Sequence, residues 1–300
     1  MSEPTIQELV IISGKGGTGK TSITASFAVL AGFPVLADCD VDAADLHLIL
    51  APSIRERYDF FCGNEAVIRP AECIRCGKCR ELCRFDAVMA GCEGEPYAVD
   101  PVACEGCGVC VRFCPVHAID FPQSLSGEWM ISATRCGPMV HARLGVAAEN
   151  SGKLVSTVRR EARRLAEENG LSLVIVDGPP GIGCPVIASL TGTSLALIVT
   201  EPTVSGEHDL ERVLKLARHF DVPAWVCVNK WDLNPDMTER IESLAVRSGA
   251  RIAGRIRYDR AVTLAQIQQK AVVETDAPSA GDIRQVWESL GLQEKIREKS

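Results

Sequence analysis

The sequence has no excess of positive charge and no long apolar run, and each absence excludes a class of partner. Its 300 residues carry 32 Lys and Arg against 39 Asp and Glu, a formal net charge of −7. Nucleic acid and anionic membrane surfaces are bound mainly through clustered cations, so we expect neither as a main partner. No stretch approaches the roughly 18 consecutive apolar residues of a membrane-spanning helix.

The first residues, MSEPTIQELV, also lack the basic segment and the apolar run of a signal peptide. The expected location is therefore the cytoplasm, where thiols stay reduced. Fourteen cysteines are many for such a protein. In a reducing compartment they indicate metal ligation or redox chemistry rather than disulfides.

Eight of the cysteines form two runs with the same spacing, Cys-x2-Cys-x2-Cys-x3-Cys, which begin at Cys73 and Cys104. This is the ligand run of 4Fe–4S clusters in bacterial-type ferredoxins, in which the fourth cysteine of each run binds the other cluster. The expected ligand sets are Cys73, Cys76, Cys79 and Cys114 for one cluster, and Cys104, Cys107, Cys110 and Cys83 for the other. A pair of four-thiolate zinc sites is the alternative.

The residues between these cysteines also carry information. Gly77, Gly106 and Gly108 are expected to permit tight backbone turns around a cluster. Pro115 follows the second run, whereas Arg84 takes the corresponding place after the first. A cation near a cluster stabilises its reduced state, so Arg84 is expected to raise the potential without changing the ligands.

A phosphate-binding loop is predicted near the N-terminus. GKGGTGKT, residues 14–21, fits G-x-x-x-x-G-K-[ST] between an apolar strand and a helix-compatible run. Backbone N–H groups would hold the phosphates, Lys20 would bridge the β- and γ-phosphates, and Thr21 would bind Mg²⁺. The expected nucleotide contacts from this segment are Gly14, Lys15, Gly16, Gly17, Thr18, Gly19, Lys20, Thr21 and Ser22.

Acidic residues at two further strand ends support a magnesium site. Asp177 ends the apolar run LVIVD, in the Walker B position that holds the metal ion. Asp38 and Asp40 end another short strand. One of the two could order magnesium-bound water while the other orients the attacking water.

Strands alternate with helices before and after the cysteine-rich segment. This alternation predicts an α/β fold with a mostly parallel sheet covered on both faces. The expected domains are a discontinuous P-loop ATPase domain, residues 1–62 and 135–300, and a small inserted α+β ferredoxin-like domain with two 4Fe–4S clusters, residues 63–134.

The chain resembles a known superfamily. GKGGTGKT, with its second lysine Lys15, looks like the deviant Walker A motif of the MinD, ParA and nitrogenase iron protein superfamily. DCDVDAADLHLIL resembles its switch I, and DGPPGIGCP resembles its switch II. The whole chain is similar to MinD-superfamily P-loop ATPases that carry an inserted ferredoxin domain.

The resemblance implies a dimer, either homomeric or with a related ATPase, that encloses two nucleotides. It implies that Lys15 reaches the partner's nucleotide and stabilises transition-state charge, as an arginine finger does. Asp40 matches the position that orients water, Asp38 a magnesium-linked position, and Asn229 the adenine-contacting position, with Lys230 beside it. Lys15, Lys20 and Asp40 are thus the expected catalytic residues, and Thr21, Asp38 and Asp177 the expected magnesium residues.

Three points stay open at this stage. The motif N-K-x-D, residues 229–232, is also the guanine-reading motif of GTPases, so GTP is an alternative to ATP. Arg257 stands where the family usually has proline, which leaves the local backbone shape in question. Cys136 and Cys184 match, by resemblance to the nitrogenase iron protein, a cluster that bridges two subunits; buried thiols without a metal are the alternative.

The main functional hypothesis is an ATPase whose cycle is coupled to electron transfer through two clusters, towards an unidentified redox partner. An iron–sulfur cluster carrier or scaffold is the second hypothesis. A spatial organiser of the MinD or ParA kind, with the ferredoxin module as a redox sensor, is the third.

Overall fold

The computed structural model describes residues 6–92, 95–145 and 151–292. Residues 1–5 and 293–300, which the sequence analysis assigned to the ATPase domain, lie outside the described residues. Chain contacts divide the protein into two compact units. The first comprises residues 1–58, 129–143 and 151–300, and the second comprises residues 59–128 and 144–150.

The strands are β1 (Gln7–Ser13), β2 (Val35–Asp38), β3 (Ser53–Asn64), β4 (Val67–Ile68), β5 (Val88–Met89), β6 (Ala98–Val99), β7 (Ile119–Asp120), β8 (Gln123–Thr134), β9 (Gly137–Leu144), β10 (Leu173–Pro180), β11 (Leu195–Thr200), β12 (Ala224–Asn229) and β13 (Arg251–Ile256). The helices are α1 (Lys20–Leu30), α2 (Leu46–Leu50), α3 (Lys78–Glu81), α4 (Val109–Phe113), α5 (Ser151–Glu168), α6 (Cys184–Leu190), α7 (Val204–His219), α8 (Pro235–Arg247), α9 (Ala261–Ile267) and α10 (Pro278–Ser289). Two 3-10 turns cover Trp231–Leu233 and Val272–Glu274.

Within the described residues, nine strands form one sheet in the order β13-β12-β11-β1-β10-β2-β9-β8-β3. Six neighbouring pairs, from β13 to β9, are parallel. The central strands are buried along almost their whole length, as strands covered by helices on both faces must be. The predicted α/β class and mostly parallel sheet are confirmed.

Three strands of this sheet were not predicted. β3 and β8 are 12 residues each, and β8 is joined to β9 by the two-residue connection Arg135–Cys136. Gly137 sits at φ 134, and a Cβ there would lie 2.1 Å from the carbonyl oxygen of Pro34. The start of β9 therefore needs glycine, because the chain before β2 passes directly beside it.

One hydrophobic core of the first unit lies against one face of the sheet, where α1 meets α10. Phe27 and Trp287 are both fully buried, and their ring centroids are 4.9 Å apart. The apolar stripe of α10 also includes Ile283, Val286 and Leu290, which belong to the same core. This helix therefore packs inside the protein. No helix among the described residues is long and apolar enough to cross a membrane.

Trp287 provides a test of this packing. Trp287→Ala is expected to lower the free energy of unfolding by about 3–5 kcal/mol, because it leaves a cavity against Phe27. Trp287→Phe should cost clearly less: it keeps a ring in place, and it removes an indole N–H that has no hydrogen-bond partner in the described structure. Urea unfolding followed by circular dichroism measures both, and equal losses for the two variants would contradict this packing.

Candidate functional site

The nucleotide candidate is the loop between β1 and α1. Gly17 (φ 78) and Gly19 (φ 92) adopt left-handed conformations, and Gly19 is the N-cap of α1. A Cβ on Gly19 would lie 2.5 Å from Asn229 Nδ2. Gly17 and Gly19 therefore permit the left-handed turn, and Gly19 also permits the close approach of Asn229 at the end of β12. A phosphate-binding loop at a helix N-terminus requires such glycines.

Lys20 begins α1 and points into the site. Its side chain is 5% exposed, and its Nζ lies 3.9 Å from Asp40 Oδ2. Thr24 Oγ1 donates a hydrogen bond to Asp177 Oδ1 over 2.9 Å, and the side chain of Thr21 lies close enough to the same carboxylate to lower its pKa. The structure thus brings together the predicted lysine, the magnesium-binding threonine and the Walker B aspartate.

Asp38 completes this cluster because β2 and β10 are parallel neighbours in which Asp38 and Asp177 are paired. Asp38 accepts hydrogen bonds from the backbone N–H groups of Asp40 and Leu46, at 3.2 and 3.3 Å. The sequence placed Asp177 at the end of its strand, but β10 continues to Pro180, which pairs with Ser13 after a register shift. The strand end therefore lies three residues later than expected.

The electrostatics of the three carboxylates fit a bound cation. Burial raises the pKa of Asp38 well above its usual value, and the charges of Asp177 and Asp40 raise it further. Burial also raises the pKa of Asp177, while Lys20 lowers it. Burial raises the pKa of Asp40 to about 6 against the opposing effect of Lys20. Asp177 Oδ2 is buried and has no hydrogen-bond partner in the described structure. Buried acids that repel one another favour a divalent cation.

A cleft of about 780 Å³ opens beside the loop. Its lining comes from the phosphate-binding loop, from the segment after β2, from the end of β10 and from α9: Gly16, Gly17, Gly19, Lys20, Thr21, Ser22, Asp40, Asp42, Ala43, Asp45, Leu48, Ile49, Pro179, Pro180, Pro185, Gln266, Ile267 and Gln269. Its volume lies within the ordinary range for small-molecule sites. Of the predicted site residues, the cleft brings together Gly16, Gly17, Gly19, Lys20, Thr21, Ser22 and Asp40.

Lys15 is held on the other side of the loop. Its Nζ lies 3.3 Å from Glu201 Oε2 and hydrogen-bonds the hydroxyls of Ser205 and Thr203, at 3.4 and 3.5 Å. Glu201 also pairs with Lys230, whose Nζ donates to the carbonyl of Gly17 over 3.3 Å. Glu201 therefore binds two of the predicted site lysines. Glu201 was not among the site residues predicted from the sequence, although an acid directly after the apolar strand β11 indicates a position at the same edge of the sheet.

The N-K-x-D segment is engaged with protein groups. Asn229 Nδ2 donates to the carbonyl of Thr18 over 2.8 Å, so Asn229 contacts the loop itself. Asp232 Oδ1 accepts the backbone N–H of Tyr258 at 2.6 Å.

The backbone N–H of Arg257 donates to Asp282 Oδ2 over 3.0 Å, and its guanidinium binds both carboxylate oxygens. Proline has no backbone N–H to donate, so Arg257 anchors this backbone by a hydrogen bond that proline could not make.

The eight clustered cysteines line two cavities of the second unit. Cys73, Cys76, Cys79 and Cys114 line one, and Cys83, Cys104, Cys107 and Cys110 line the other. Each cavity is small, with a volume of about 20 Å³. In each, three thiols come from one run and the fourth from the other run. A small apolar core of Ala66, Ile68, Val88 and Ile119 packs against most of these cysteines.

The two runs have matching backbones. Gly77 and Gly108 are the N-caps of α3 and α4, at φ 74 and 72. Further along, Asp86 and His117 share φ values of 53 and 52. The repeat seen in the sequence is therefore a structural repeat, and the left-handed turns expected at the glycines are confirmed.

The thiols in each cavity influence one another. Burial raises the pKa of Cys79, and the neighbouring Cys73 and Cys76 raise it further. Burial likewise raises the pKa of Cys110, with Cys104 and Cys107 adding to the shift. Thiols grouped in this way disfavour one another's ionisation, and a cationic metal centre that binds thiolates would offset that repulsion. The described residues contain no group of three or more His, Cys, Asp or Glu arranged to hold a single metal ion.

The two remaining candidate ligands are in different environments. Cys136 is 4% exposed and belongs to the same hydrophobic core as Phe27 and Trp287, where burial raises its pKa. Cys184 is exposed at the start of α6. The burial of Cys136 counts against ligation shared with a second subunit, and the bridging site stays a prediction.

Comparison with known proteins agrees with the nucleotide site. The family model described as CbiA, the CobQ/CobB/MinD/ParA nucleotide binding domain, matches residues 9–272. The chain belongs to this family. An uncharacterized protein of Methanocaldococcus jannaschii is 35% identical over 232 residues, which is 76% of this chain and 80% of that protein. Among solved structures, the septum site-determining protein MinD of Pyrococcus horikoshii, complexed with Mg-ADP, has a TM-score of 0.59 at 15% identity. That match covers 95% of this chain and 96% of the other, and it shows the fold.

Two further matches cover only a small part of this chain. One component of the Na⁺-translocating ferredoxin:NAD⁺ oxidoreductase complex of Acetobacterium woodii is 46% identical over 72 residues, 22% of this chain and 21% of that protein. A 7Fe ferredoxin of Hydrogenibacillus schlegelii is 37% identical over 51 residues, 17% of this chain and 63% of that protein.

The crossing of the fourth cysteine can be tested directly. Cys83→Ser should disturb the same centre as Cys104→Ser, although Cys83 belongs to the first run in sequence. Cys114→Ser should resemble Cys73→Ser for the same reason. Anaerobically purified variants would be compared by iron content and by the electron paramagnetic resonance (EPR) spectrum of the reduced protein. Cys92→Ser, at an exposed cysteine outside both cavities, is the matched control. A Cys83→Ser spectrum that matches Cys73→Ser would contradict the crossing.

Proposed function

We propose that this protein is a magnesium-dependent ATPase that works as a dimer and couples its nucleotide cycle to electron transfer through two 4Fe–4S clusters. The observation that carries the proposal is the presence, in one chain, of two cavities lined by four thiols each and of a phosphate-binding loop beside three buried acids. The family membership supports the nucleotide half. The partial ferredoxin matches support the other half.

In the nucleotide half, the loop N–H groups and Lys20 bind the phosphates. Thr21 and Asp177 hold Mg²⁺, with Asp38 behind them. Asp40 orients the attacking water, because it is the most accessible of the three acids and lies next to Lys20. The pairing of buried carboxylates with a single lysine leaves a local excess of negative charge, which the magnesium ion offsets.

ATP rather than GTP is the proposed nucleotide. A guanine-reading aspartate must accept hydrogen bonds from the base. Here the carboxylate of Asp232 accepts the backbone N–H of Tyr258 at 2.6 Å, so it already has a structural partner. Asn229 is likewise bound to Thr18. These contacts favour a role for the segment in shaping the loop.

Lys15 is the proposed contribution of each subunit to its partner's site. In one chain its ammonium group is bound to Glu201, Thr203 and Ser205. Its side chain is one-third exposed, so it is accessible to a second subunit. A lysine placed in this way by a second subunit stabilises charge on the transferred phosphoryl group. In related phosphoryl transfers such a cation raises the rate about 10³-fold or more.

In the second unit, the four thiols of each cavity would bind one 4Fe–4S cluster. Bound clusters supply one-electron transfer at low potential. The protein's part is to hold the thiolates, to limit solvent access through the small apolar core, and to set the surrounding charge. Complete four-thiolate sets hold a cluster firmly, which favours electron transfer over delivery of clusters to other proteins.

Coupling between the halves has a route along the chain. Asp38 pairs with His141 of β9, and His141 Nε2 lies 2.8 Å from Ser132 Oγ of β8. β8 begins at Gln123, in the second unit, and ends at Thr134, in the first. A change at the magnesium site would therefore act on a strand that continues into the cysteine-rich unit.

The direct test is an anaerobic preparation with iron and sulfide quantitation, followed by EPR-monitored redox titration with and without Mg-ATP. We expect about eight iron atoms per chain and a shift of at least one potential on addition of Mg-ATP. Lys20→Ala should keep the iron and lose the nucleotide response. Potentials that ignore nucleotide, together with ATP turnover that ignores the redox state, would contradict coupling. Transfer of clusters to an apo-ferredoxin would favour a carrier instead.

The role of Lys15 in trans can be tested by mixing subunits. Lys15→Gln should lower ATP turnover about 10³-fold and retain nucleotide binding, and Asp40→Asn should also be inactive. Mixed in equal amounts, the two variants should recover roughly a quarter of wild-type turnover, because random pairing makes half the dimers mixed and each has one intact site. Lys215→Gln, a surface lysine paired with Glu211, is the control. No recovery on mixing would contradict a homodimeric role in trans.

A further inference from the structure

A row of buried polar side chains crosses four neighbouring strands of the sheet. Asp177 on β10, Asp38 on β2 and His141 on β9 are in register with one another, and His141 Nε2 lies 2.8 Å from Ser132 Oγ on β8. All four residues belong to the first unit, and none is more than 8% exposed. Strands buried on both faces are normally apolar, and buried polar groups are costly unless they have partners. The row is therefore expected to serve a function.

The row lies on the face of the sheet that carries α1. The residues two positions earlier on β10, β2 and β9 form an apolar row in the core between α1 and α10: Ile175, Leu36 and Met139. Alternate residues of a strand point to the same face, so Asp177, Asp38 and His141 point to the α1 side as well. Thr24 of α1 donates to Asp177 over 2.9 Å, which agrees with this orientation. His141 therefore lies on the same side of the sheet as the magnesium candidate.

Asp38 lies between an acid and an imidazole. β10 and β9 are the two neighbours of β2, so Asp177 flanks Asp38 on one side and His141 on the other, at the interstrand spacing of about 4.8 Å. The hydrogen bonds that Asp38 accepts from the backbone N–H groups of Asp40 and Leu46 are long, at 3.2 and 3.3 Å. Asp177 repels the carboxylate, whereas an imidazole can donate to it. His141 is thus the neighbour suited to fix Asp38 from the side away from Asp177.

Ser132 holds the ring of His141 in place. It is 1% exposed and lies on β8, the neighbour of β9 on the side away from Asp38. A hydroxyl can donate to a ring nitrogen or accept from it, so the contact with Nε2 is possible for either tautomer. A hydrogen bond at one ring nitrogen fixes the orientation of an imidazole. Ser132 therefore acts on Asp38 through His141.

We propose that His141 is a positioning residue of the magnesium site. Held by Ser132, it keeps the Asp38 carboxylate in the orientation that supports a metal ion at Thr21 and Asp177, and it thereby sets the affinity of the protein for Mg²⁺. The proposal rests on the nucleotide half of the proposed function, since it needs a magnesium ion at this site. Partners that orient ligating carboxylates contribute about 10- to 100-fold in metal affinity, so removal of the imidazole should have an effect of that size.

The first experiment measures Mg²⁺ binding rather than turnover. The iron-loaded protein is saturated with ADP and titrated with MgCl₂ by isothermal titration calorimetry, and ADP binding in EDTA is measured separately. His141→Phe keeps a ring and removes both ring nitrogens, so it should weaken Mg²⁺ binding about 10- to 100-fold and leave metal-free ADP binding unchanged. His141→Asn keeps a polar amide and should lose clearly less. A Mg²⁺ affinity of His141→Phe equal to that of the wild type would overturn the proposal.

Met139→Ala is the matched control for lost packing. Met139 is fully buried on the same strand and the same face, two residues before His141. Its truncation should lower the free energy of unfolding, measured with urea, because it leaves a cavity. It should not change the Mg²⁺ affinity. Equal losses of Mg²⁺ affinity in Met139→Ala and His141→Phe would assign the effect to packing and overturn the proposal.

Ser132→Ala tests whether the serine acts through the histidine. Alone, this variant should weaken Mg²⁺ binding several-fold. In the His141→Phe background it should add nothing, because the two residues act as one unit. Fully additive losses would overturn the role assigned to Ser132. If His141→Phe does not fold, His141→Asn and Ser132→Ala carry the test, and wild-type Mg²⁺ affinity in both would overturn the proposal.

The outcomes separate this inference from the proposed function. If the wild-type protein binds no nucleotide, or binds it without any need for Mg²⁺, both fail. If the wild type binds two clusters and magnesium nucleotide, yet the His141 and Ser132 variants bind Mg²⁺ as tightly, only this inference fails. Weakened Mg²⁺ binding in His141→Phe, together with cluster potentials that ignore nucleotide, would support this inference and contradict the proposed coupling.

Discussion

The nucleotide half of this protein depends on one electrostatic constraint, the burial of Asp38 and Asp177 side by side, at the carboxyl end of β2 and three residues before the end of β10. Parallel pairing of the two strands forces the carboxylates together, and burial deprives them of water. Lys20 is the cation in contact with this group, through Asp40. Such an arrangement is costly without a further cation. It is the reason why this end of the sheet is suited to a magnesium nucleotide.

The surroundings of the acids follow from the same constraint. The phosphate-binding loop lies beside them because β1 is the other neighbour of β10, so its exit and the exit of β2 flank the same strand. Lys15 is directed away from the acid group and bound by Glu201. The chain therefore separates two lysines of one motif, one within its own site and one accessible to another subunit.

The cysteine-rich unit depends on a different constraint. It is built from a repeat, and the last cysteine of each half lines the cavity formed by the other half. The left-handed turns recur at matching positions, and each cavity receives three thiols from one run and one from the other. The shared backbone leaves the side chains free to differ. Arg75 and Lys78 line the first cavity at positions where Gly106 and Val109 line the second, while the thiol arrangement is kept.

The sequence by itself determined the local features: the glycine loop, the acids at strand ends, the two cysteine runs and the α/β alternation. These depend on neighbours in the chain, where spacing and periodicity report directly on backbone conformation. Tertiary structure alone decided the rest. The residue pattern of β3, β8 and β9 is too irregular to predict strands. The contacts of Glu201, Asp232 and Gly137 join residues more than twenty positions apart in the chain. Such partners are set by which strands lie side by side, and the order of strands in a sheet is a property of the packed protein rather than of any local segment.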